Sequence, residues 1–396
     1  MGAATLSKET HRPTNAVEML FDGIDIATED LAPAREAASI LFEALWSEYG
    51  LKPDGIATVF LQQRQAVERL GQIEADRRRY PEIARENIMA PLILAGAPRS
   101  GTTFLHSLMS QDPAFRSPLA WETLYPSPPP EAATYSTDPR IDRWKHDNYG
   151  EDAASSNKAG NAEFAKKHLM AATLPEECGK MLSSSVRNMD VWALARVIPY
   201  FNWFLDTDKQ PAFAVHRKWL QHLQWRNPRE RWLLKYPSHG LMWPYVFQSF
   251  PDAIVVETHR NPCATISSLA SLIGTLRKLA FENQDPFALG IEMMHFQQAN
   301  YLRPIAFRQS NPQKTFIDVS YNDLLTEPLE TVRRVYAAAG LTLSVEAERR
   351  MRQFVLDNPQ GKHGVHEHDL ESYGLNEAIL REKLAPYYER YGDMIG

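Results

Sequence analysis

Residues 96–103 combine glycines, hydroxyl side chains and one cation in the pattern of a backbone anion site. The apolar run before them predicts a strand, and the residues after them predict a helix. Gly96, Gly101, Thr102 and Thr103 keep the spacing of a phosphate-binding loop, in which successive N–H groups and the positive end of a helix dipole meet an anion. The segment therefore predicts an anion site, the alternative being an ordinary strand–turn–helix with small residues.

The loop lacks the lysine that nucleoside triphosphatases place before the final hydroxyl residue. Thr102 stands there, and the nearby cation is Arg99 inside the loop. Because that lysine contacts the transferred phosphates in such enzymes, we expect this loop to hold an anion without hydrolysing it. A P-loop kinase or nucleotide hydrolase is the first alternative. It is disfavoured further because Glu257, after an apolar strand, is followed by Thr-His-Arg and not by a Walker-type pattern.

Composition indicates a globular chain with a full core. The sequence has 396 residues, of which 44% are hydrophobic, and a formal charge of −6. This charge disfavours a nucleic acid as the main partner. Two cysteines exclude a disulfide framework or a cysteine-based zinc site and predict a reducing, cytoplasmic location. The polar first residues predict no secretory signal, and we expect no transmembrane segment.

Strands alternate with helices in the second half of the chain. Predicted strands cover residues 231–235, 253–258 and 315–320, with helices at 241–250, 328–339 and 376–384. Together with the strand before Gly96, this order predicts an α/β fold, a P-loop-like parallel sheet flanked by helices with an N-terminal helical layer and helical insertions. Strand ends at Gly96, Lys235 and His259 should lie at one edge of the sheet, where ligands bind.

The remaining segments predict mainly helices. We predict an N-terminal helical region over residues 1–88 that packs on a main domain over 89–396, with a helical and aromatic insertion at about 138–228. Prolines at 126, 128, 129 and 130 predict that residues 112–130 form an exposed connection near the mouth of the phosphate loop. The aromatic residues of 191–225 fit either an apolar acceptor pocket or a packed helical core.

Four motifs occur in an order that resembles the sulfotransferases that use 3′-phosphoadenosine 5′-phosphosulfate (PAPS). The family's phosphosulfate loop resembles Ala-Pro-Arg-Ser-Gly-Thr-Thr at 97–103. Its strand-end arginine, with a serine eight residues later, resembles Arg260 and Ser268. Its late Tyr-Glu-Asp-Leu segment resembles residues 321–324, where asparagine replaces the glutamate, and its C-terminal loop over the nucleotide resembles Gly-Lys-His-Gly at 361–364.

The resemblance covers residues 91–385 and implies PAPS as donor cosubstrate, with no metal ion. The bacterial group with a Pro-Arg-Ser-Gly-Thr-Thr loop and a Leu-Lys-x-Pro-x-His motif is the most similar, and some of its members sulfate lipids or other small hydroxylated metabolites. Cytosolic aryl enzymes carry lysine in place of Arg99, which weakens any inference about phenolic acceptors. The implied donor-binding residues are Arg99, Ser100, Gly101, Thr102, Thr103, Arg260, Ser268, Tyr321, Lys362, His363 and Gly364.

Sulfuryl transfer from a phosphate oxygen to an acceptor hydroxyl needs charge stabilisation at the departing phosphate and a base for the acceptor's proton. Arg99 and the loop N–H groups suit the first task, and Lys235 resembles a lysine near the scissile bond in this superfamily. For the base, His239 is ranked first because it resembles the histidine that follows this lysine, and because the unperturbed pKa of a histidine suits proton abstraction near neutrality. Glu122, which resembles the glutamate after the loop helix in tyrosylprotein and heparan members, is second, and Glu177 is third. A glutamate at a helix start can also have a purely structural role, because its negative charge interacts favourably with the positive end of the helix dipole.

The expected activity is transfer of a sulfuryl group to a hydroxyl of a small, apolar acceptor. The aromatic content favours a lipid or a polycyclic alcohol as this acceptor. A nucleotide-binding module without catalysis is the second alternative. Histidines at 363, 366 and 368 could bind a metal, but the hydrophilic tail around them disfavours this. Peripheral contact with a membrane and the oligomeric state are left open.

Overall fold

The computed structural model describes residues 13–48, 50–149, 171–278, 280–281, 283–359 and 369–395. The chain forms two compact units. The first unit comprises residues 1–87, 118–228 and 273–284, and the second comprises residues 88–117, 229–272 and 285–396. The domain boundaries inferred from the sequence stay a prediction.

Helices dominate both units. In chain order the α-helices of the described residues are α1 (Pro13–Phe21), α2 (Thr28–Ser47), α3 (Pro53–Arg79), α4 (Thr102–Met109), α5 (Ala120–Leu124), α6 (Pro139–Tyr149), α7 (Cys178–Leu182), α8 (Ile198–Asp206), α9 (Gln210–Gln224), α10 (Trp243–Ser249), α11 (Pro262–Arg277), α12 (Pro286–Ser310), α13 (Tyr321–Thr326), α14 (Pro328–Ala338), α15 (Val345–Asp357), α16 (Glu377–Lys383) and α17 (Ala385–Ile395). None of these helices is both long enough and apolar enough to cross a bilayer.

The second unit contains a five-stranded parallel sheet. Its strands are β1 (Leu92–Gly96), β2 (Phe115–Arg116), β3 (Arg231–Lys235), β4 (Ile254–His259) and β5 (Phe316–Ser320). The strand order is β2–β3–β1–β4–β5. Leu92 pairs with Leu233 on one side and with Ile254 on the other, which places β1 at the centre. All five residues of β1 are buried, as expected for a parallel strand covered on both faces. The predicted α/β class with a parallel sheet is confirmed.

Local sequence explains where the elements of the second unit begin. Prolines occupy the first position of α11, α12 and α14, where the missing N–H would have no partner inside the helix. The carboxylate of Asp285 accepts from the N–H of Phe287 and caps α12. One side of the sheet packs against α4, α14 and α15 through a core that includes Leu94, Leu105 and Val335.

The first unit is helical throughout its described elements, as predicted for the N-terminal part of the chain. In α3, Val59, Val67 and Leu70 are fully buried and follow the helical period. Lys218 Nζ forms ion pairs with Asp30 at 2.6 Å and Glu74 at 2.9 Å, so that α2, α3 and α9 share a nearly buried charge cluster.

The structure corrects one sequence interpretation of residues 112–225 and favours one alternative of another. The connection over residues 112–130 was predicted to be exposed, and this is wrong at its proline-rich end because Pro126, Pro129 and Pro130 are buried. Arg140 Nη1 donates to the carbonyl of Pro126 at 3.2 Å, which supplies the partner that a buried, proline-rich backbone needs. The aromatic side chains of the 191–225 segment pack mostly inside the unit, which favours the packed core.

Candidate functional site

The carboxyl ends of β1, β3, β4 and β5 lie along one edge of the sheet because these strands are parallel. Gly96, Lys235 and His259 are the last residues of the first three strands, as predicted, and Tyr321 follows β5. β1 lies between β3 and β4, so the chain leaves β1 towards one side and later returns on the other. The end of β1 is therefore a topological switch point, where ligands of open parallel sheets bind.

The loop after β1 is packed closely against its neighbours. Gly96 and Gly101 have φ angles of 144° and 97°, in the region that favours glycine. A Cβ atom at Gly96 would lie 2.5 Å from the carbonyl oxygen of Thr258, and one at Gly101 would lie 2.8 Å from Cδ2 of Tyr321. Arg99 also has a positive φ, of 75°, at a cost on the order of 1 kcal/mol for a residue with a side chain. The surrounding structure holds this loop in one shape.

Two arginines, a serine and a tyrosine converge at this edge. Arg99 Nε donates to Ser268 Oγ at 3.1 Å, and Arg260 Nη1 donates to the carbonyl oxygen of Arg99 at 2.8 Å. The guanidinium carbon of Arg260 lies 4.0 Å from the centre of the Tyr321 ring, which is a cation–π contact. The structure brings together side chains that the resemblance assigns to the donor nucleotide, and their charge suits an anion.

Hydroxyl groups of the loop connect it to both neighbouring strands. Ser100 Oγ and Thr258 Oγ1 are 2.6 Å apart and buried. Lys235 Nζ donates to Thr103 Oγ1 at 3.3 Å, and only 1% of Lys235 is exposed. Its ammonium group therefore lies beside the first turn of α4, at the positive end of the helix dipole. A lysine from β3 supplies positive charge that the loop lacks at Thr102.

His106 lies in the second turn of α4, fully buried, with Nε2 3.4 Å from the carbonyl oxygen of Leu233. Burial, followed by the nearby ammonium group of Lys235, holds the pKa of His106 well below its ordinary value. The imidazole is therefore neutral, and Nε2 carries the proton that is donated to Leu233.

His239 follows β3 in a 3₁₀-helical turn over Pro237–Met242 and is completely buried. Its ring stacks on Trp243, with centroids 6.3 Å apart, and meets Tyr236 edge-on at 5.5 Å. Its backbone N–H donates to the carbonyl of Tyr236 at 3.0 Å. These contacts fix the imidazole four positions after Lys235, within the same unit.

Glu122 and Glu177 belong to the first unit. Glu122 is completely buried, and its Oε2 accepts from the backbone N–H of Leu119 at 2.8 Å and from the hydroxyl of Tyr135 at 3.0 Å. Glu177 is half-buried and precedes α7. An antiparallel bridge joins Leu119 to Pro175. The two candidate carboxylates therefore stand on segments that are hydrogen-bonded to each other.

Comparison with known proteins identifies the family. The Sulfotransferase family model matches residues 91–345, which begin at β1 and make up more than half of the chain. The chain belongs to the sulfotransferase family. The kinase, hydrolase and non-catalytic alternatives are not supported, and the sulfotransferase activity predicted from the motifs is confirmed.

Solved structures and a curated protein show the same similarity. Sulfotransferase STF9 from Mycobacterium avium is 26% identical, with a TM-score of 0.86 over 95% of this chain and 96% of that one. Sulfotransferase STF1 from Mycobacterium tuberculosis H37Rv is 28% identical, with a TM-score of 0.81 over 96% and 100%. Omega-hydroxy-beta-dihydromenaquinone-9 sulfotransferase Stf3 from Mycobacterium bovis is 23% identical over 315 residues, covering 76% of this chain and 75% of that protein.

Family membership implies PAPS as the sulfuryl donor of this sulfotransferase. The residues present fit such a donor, because Arg99, Arg260 and Lys235 bring three cations to a glycine-lined loop at a helix N-terminus. Lys362, His363 and Gly364, together with the tail histidines, lie outside the described residues.

Sequence reasoning missed two side chains that support the loop. Thr258 stands one residue before the end of β4, so the rule that polar strand ends form the site would have found it. Gln297 contacts the loop from α12, and no motif in the sequence marks it.

A cluster behind the loop, formed by Glu257, His259 and Asp318, has ligand atoms within 4.8 Å of one another. Arg308 lies among them and donates to Glu257 at 2.9 Å and to Asp318 at 2.6 Å. Although burial acts to raise it, the hydrogen bonds from Arg308 and His259 hold the pKa of Asp318 below its ordinary value. The guanidinium group balances these carboxylates and accounts for the cluster without a metal.

Proposed function

We propose that this sulfotransferase binds PAPS with the phosphosulfate at residues 97–103 and the 3′-phosphate at Arg260 and Ser268. The observation that carries the proposal is the meeting of Arg260, the Arg99 carbonyl and Ser268 at the loop. Tyr321 supports Arg260 through its ring. Lys362, His363 and Gly364, which resemble the family's C-terminal loop, complete the proposed nucleotide site.

Charge stabilisation during transfer falls to groups around the loop. As the bond between the sulfuryl group and the phosphate oxygen breaks, negative charge grows on that oxygen. The ammonium group of Lys235, placed beside Thr103, and the guanidinium group of Arg99 are the proposed partners of this charge, together with the N–H groups at the start of α4. Interactions that strengthen as the charge develops raise turnover more than they raise ground-state affinity.

The base that receives the acceptor's proton is proposed among His239, Glu122 and Glu177, in that order. Exposure does not separate the first two, because both are completely buried. His239 shares the unit that contains Lys235, whereas Glu122 has a carboxylate oriented by Leu119 and Tyr135. The competing structural role of Glu122 is to cap α5 through the Leu119 N–H, and that of His239 is to pack on Trp243.

For the acceptor, we propose a hydroxyl group on an apolar, lipid-like molecule. This proposal is supported by similarity to Stf3, a protein named for a hydroxylated dihydromenaquinone. An acceptor of this class partitions into membranes, so the enzyme would meet it at a membrane surface by peripheral contact. A cytoplasmic location is proposed from the two cysteines, both of which are free thiols.

Calorimetry tests the nucleotide part of this proposal. The desulfated product, adenosine 3′,5′-bisphosphate, should bind the wild-type enzyme without magnesium and at least tenfold more tightly than ATP, because one extra charge-assisted contact is worth about 1.5 kcal/mol or more. Tight, magnesium-dependent binding of ATP alone would contradict the proposal.

A further inference from the structure

Three consecutive carbonyl groups of the phosphate-binding loop are hydrogen-bonded to partners. The carbonyl of Ala97 accepts from the N–H of Ser100 at 3.1 Å, and the carbonyl of Arg99 accepts from Arg260 at 2.8 Å. Between them, the carbonyl of Pro98 accepts from Nε2 of Gln297 at 2.9 Å. Gln297 lies in the middle of α12, 199 positions further along the chain, and is completely buried.

The direction of these carbonyl groups decides what the loop can bind. A peptide unit points its carbonyl and its N–H in opposite directions, so a loop presents N–H groups to an anion only while its carbonyls face elsewhere. Arg99 also has its positive φ between the two carbonyl groups that Gln297 and Arg260 hold. An unrestrained non-glycine residue would leave that conformation readily.

We propose that Gln297 is a positioning residue of the donor site, which holds the Pro98 peptide in the orientation that binds the phosphosulfate. This inference rests on the proposed binding of PAPS at residues 97–103. Arg260 donates to the carbonyl of Arg99, in the following peptide unit, and is also a proposed contact of the nucleotide. Gln297, in contrast, acts on the donor only through the loop.

The oxygen of the Gln297 side-chain amide indicates that Gln297 does little to stabilise the fold. Gln297 Oε1 is buried and has no hydrogen-bond partner among the residues that the structure describes. A buried, unpaired oxygen destabilises the fold by an amount similar to what one good hydrogen bond contributes. Pro98 itself is only half-buried, so its carbonyl can turn to water when the donor is removed. The net contribution of Gln297 to folding is therefore small.

The variant Gln297→Met tests the proposal, because methionine keeps the length of the side chain and removes both polar atoms. The matched control is Gln298→Met, one residue along α12, where Nε2 of Gln298 donates to the carbonyl of Lys383 at 3.2 Å, away from the loop. We expect Gln297→Met to raise the Kd of adenosine 3′,5′-bisphosphate and the KM of PAPS by about 3- to 10-fold, the effect of one lost neutral hydrogen bond. The thermal midpoint and the acceptor KM should stay at their wild-type values, and Gln298→Met should keep donor affinity within about twofold.

A second variant keeps the test decisive if methionine disturbs packing. Gln297→Leu has a side chain of similar volume and likewise cannot donate to Pro98, so donor affinity should fall by about the same factor as in Gln297→Met. Wild-type donor affinity in either folded variant, or a loss of stability accompanied by a rise in both KM values, would overturn the proposal. If the wild-type enzyme itself failed to bind the bisphosphate, the proposed function would be at fault and not the role of Gln297.

Discussion

Arg260 Nη1 donates to the carbonyl oxygen of Arg99 across 2.8 Å, so the end of β4 holds the middle of the phosphate-binding loop. The same guanidinium group lies against Tyr321, and Arg99 in turn donates to Ser268. One arginine thus shapes the loop, and it is also the proposed partner of the nucleotide's 3′-phosphate. Replacing Arg260 should therefore weaken donor binding by releasing the loop and by removing a positive charge.

Arg260→Ala and Ser268→Ala should therefore weaken the binding of adenosine 3′,5′-bisphosphate without changing the acceptor KM. Each lost charge-assisted contact should cost about 1.5 to 3 kcal/mol of binding free energy, and Arg260→Ala should have the larger effect. Titration calorimetry gives the Kd, and initial rates give the acceptor KM. Ser267→Ala is the matched control, because Ser267 Oγ donates to the carbonyl of Cys263 and not to Arg99. An unchanged Kd in Arg260→Ala would remove the 3′-phosphate assignment.

Lys235→Met should lower kcat by about 10²- to 10³-fold, the range seen when one donor to a developing charge is removed. Affinity for the bisphosphate should change by less than about threefold, because the bridging oxygen gains charge only as the bond breaks. Lys209→Met controls for removal of a buried lysine. Nζ of Lys209 donates to the carbonyls of Leu205 and Thr207, so this variant should lose stability with unchanged kcat per folded molecule. Normal turnover in Lys235→Met would exclude this lysine from the reaction.

The proton acceptor can be identified by comparing two variants of similar severity. If His239 is the base, His239→Gln should lower kcat by about 10²- to 10⁴-fold and abolish the acidic limb of the pH–rate profile. If Glu122 is the base, Glu122→Gln should show this pattern instead. Donor affinity should stay near the wild-type value in both. Activity within about threefold of wild type in both variants would eliminate both residues and leave Glu177, tested as Glu177→Gln.

Stability of the first unit should decline in mild acid. His222 is buried, and its Nε2 lies 3.1 Å from the carbonyl oxygen of Pro126. Burial lowers the pKa of His222 to about 4, against the opposing effects of Pro126 and Asp76. As pH falls below about 6.5, His222 takes up a proton in the unfolded chain before it does so in the folded protein. The contribution of His222 to the free energy of unfolding is therefore complete above about pH 6.5 and is lost progressively as pH falls towards the folded pKa.

Replacing His222 measures this contribution. Between pH 7.5 and pH 5, the free energy of unfolding should fall in both proteins. The fall should be about 2 kcal/mol smaller for His222→Gln than for the wild type. Glutamine can still donate to Pro126 but does not titrate. Urea unfolding at several pH values gives the free energy of unfolding as a function of pH. The same pH dependence in the wild type and in His222→Gln would contradict this assignment.

Sequence patterns located β1, β3, β4 and β5 within one or two residues, because each is a short apolar run followed by polar residues or glycine. The glycines of the loop after β1 also stood out in the sequence, and the structure shows why they are needed, because a Cβ atom at Gly96 or Gly101 would collide with Thr258 or Tyr321. β2 has only two residues, too few to show a period, and it was missed. The final helix, α17, was also missed, because the predicted helical pattern stopped at Leu384.

Contacts between distant segments were the part that the sequence could not supply. Gln297 meets Pro98 across 199 positions, and no local pattern distinguishes it from Gln298. The buried proline-rich segment was similarly unpredictable, because Arg140 on a separate helix binds its carbonyls. Periodicity reports which face of an element is apolar, whereas these hydrogen bonds depend on which elements become neighbours.

The most direct test of the account follows the sulfuryl group itself. The purified enzyme is incubated with PAPS labelled in the sulfate and with the total lipid and polar fractions of a cell extract, supplied separately. Label should enter alcohols of the lipid fraction, with one adenosine 3′,5′-bisphosphate formed for each sulfate transferred and no requirement for a metal ion. Labelling confined to polar sugars, or release of free sulfate without any labelled lipid, would contradict it.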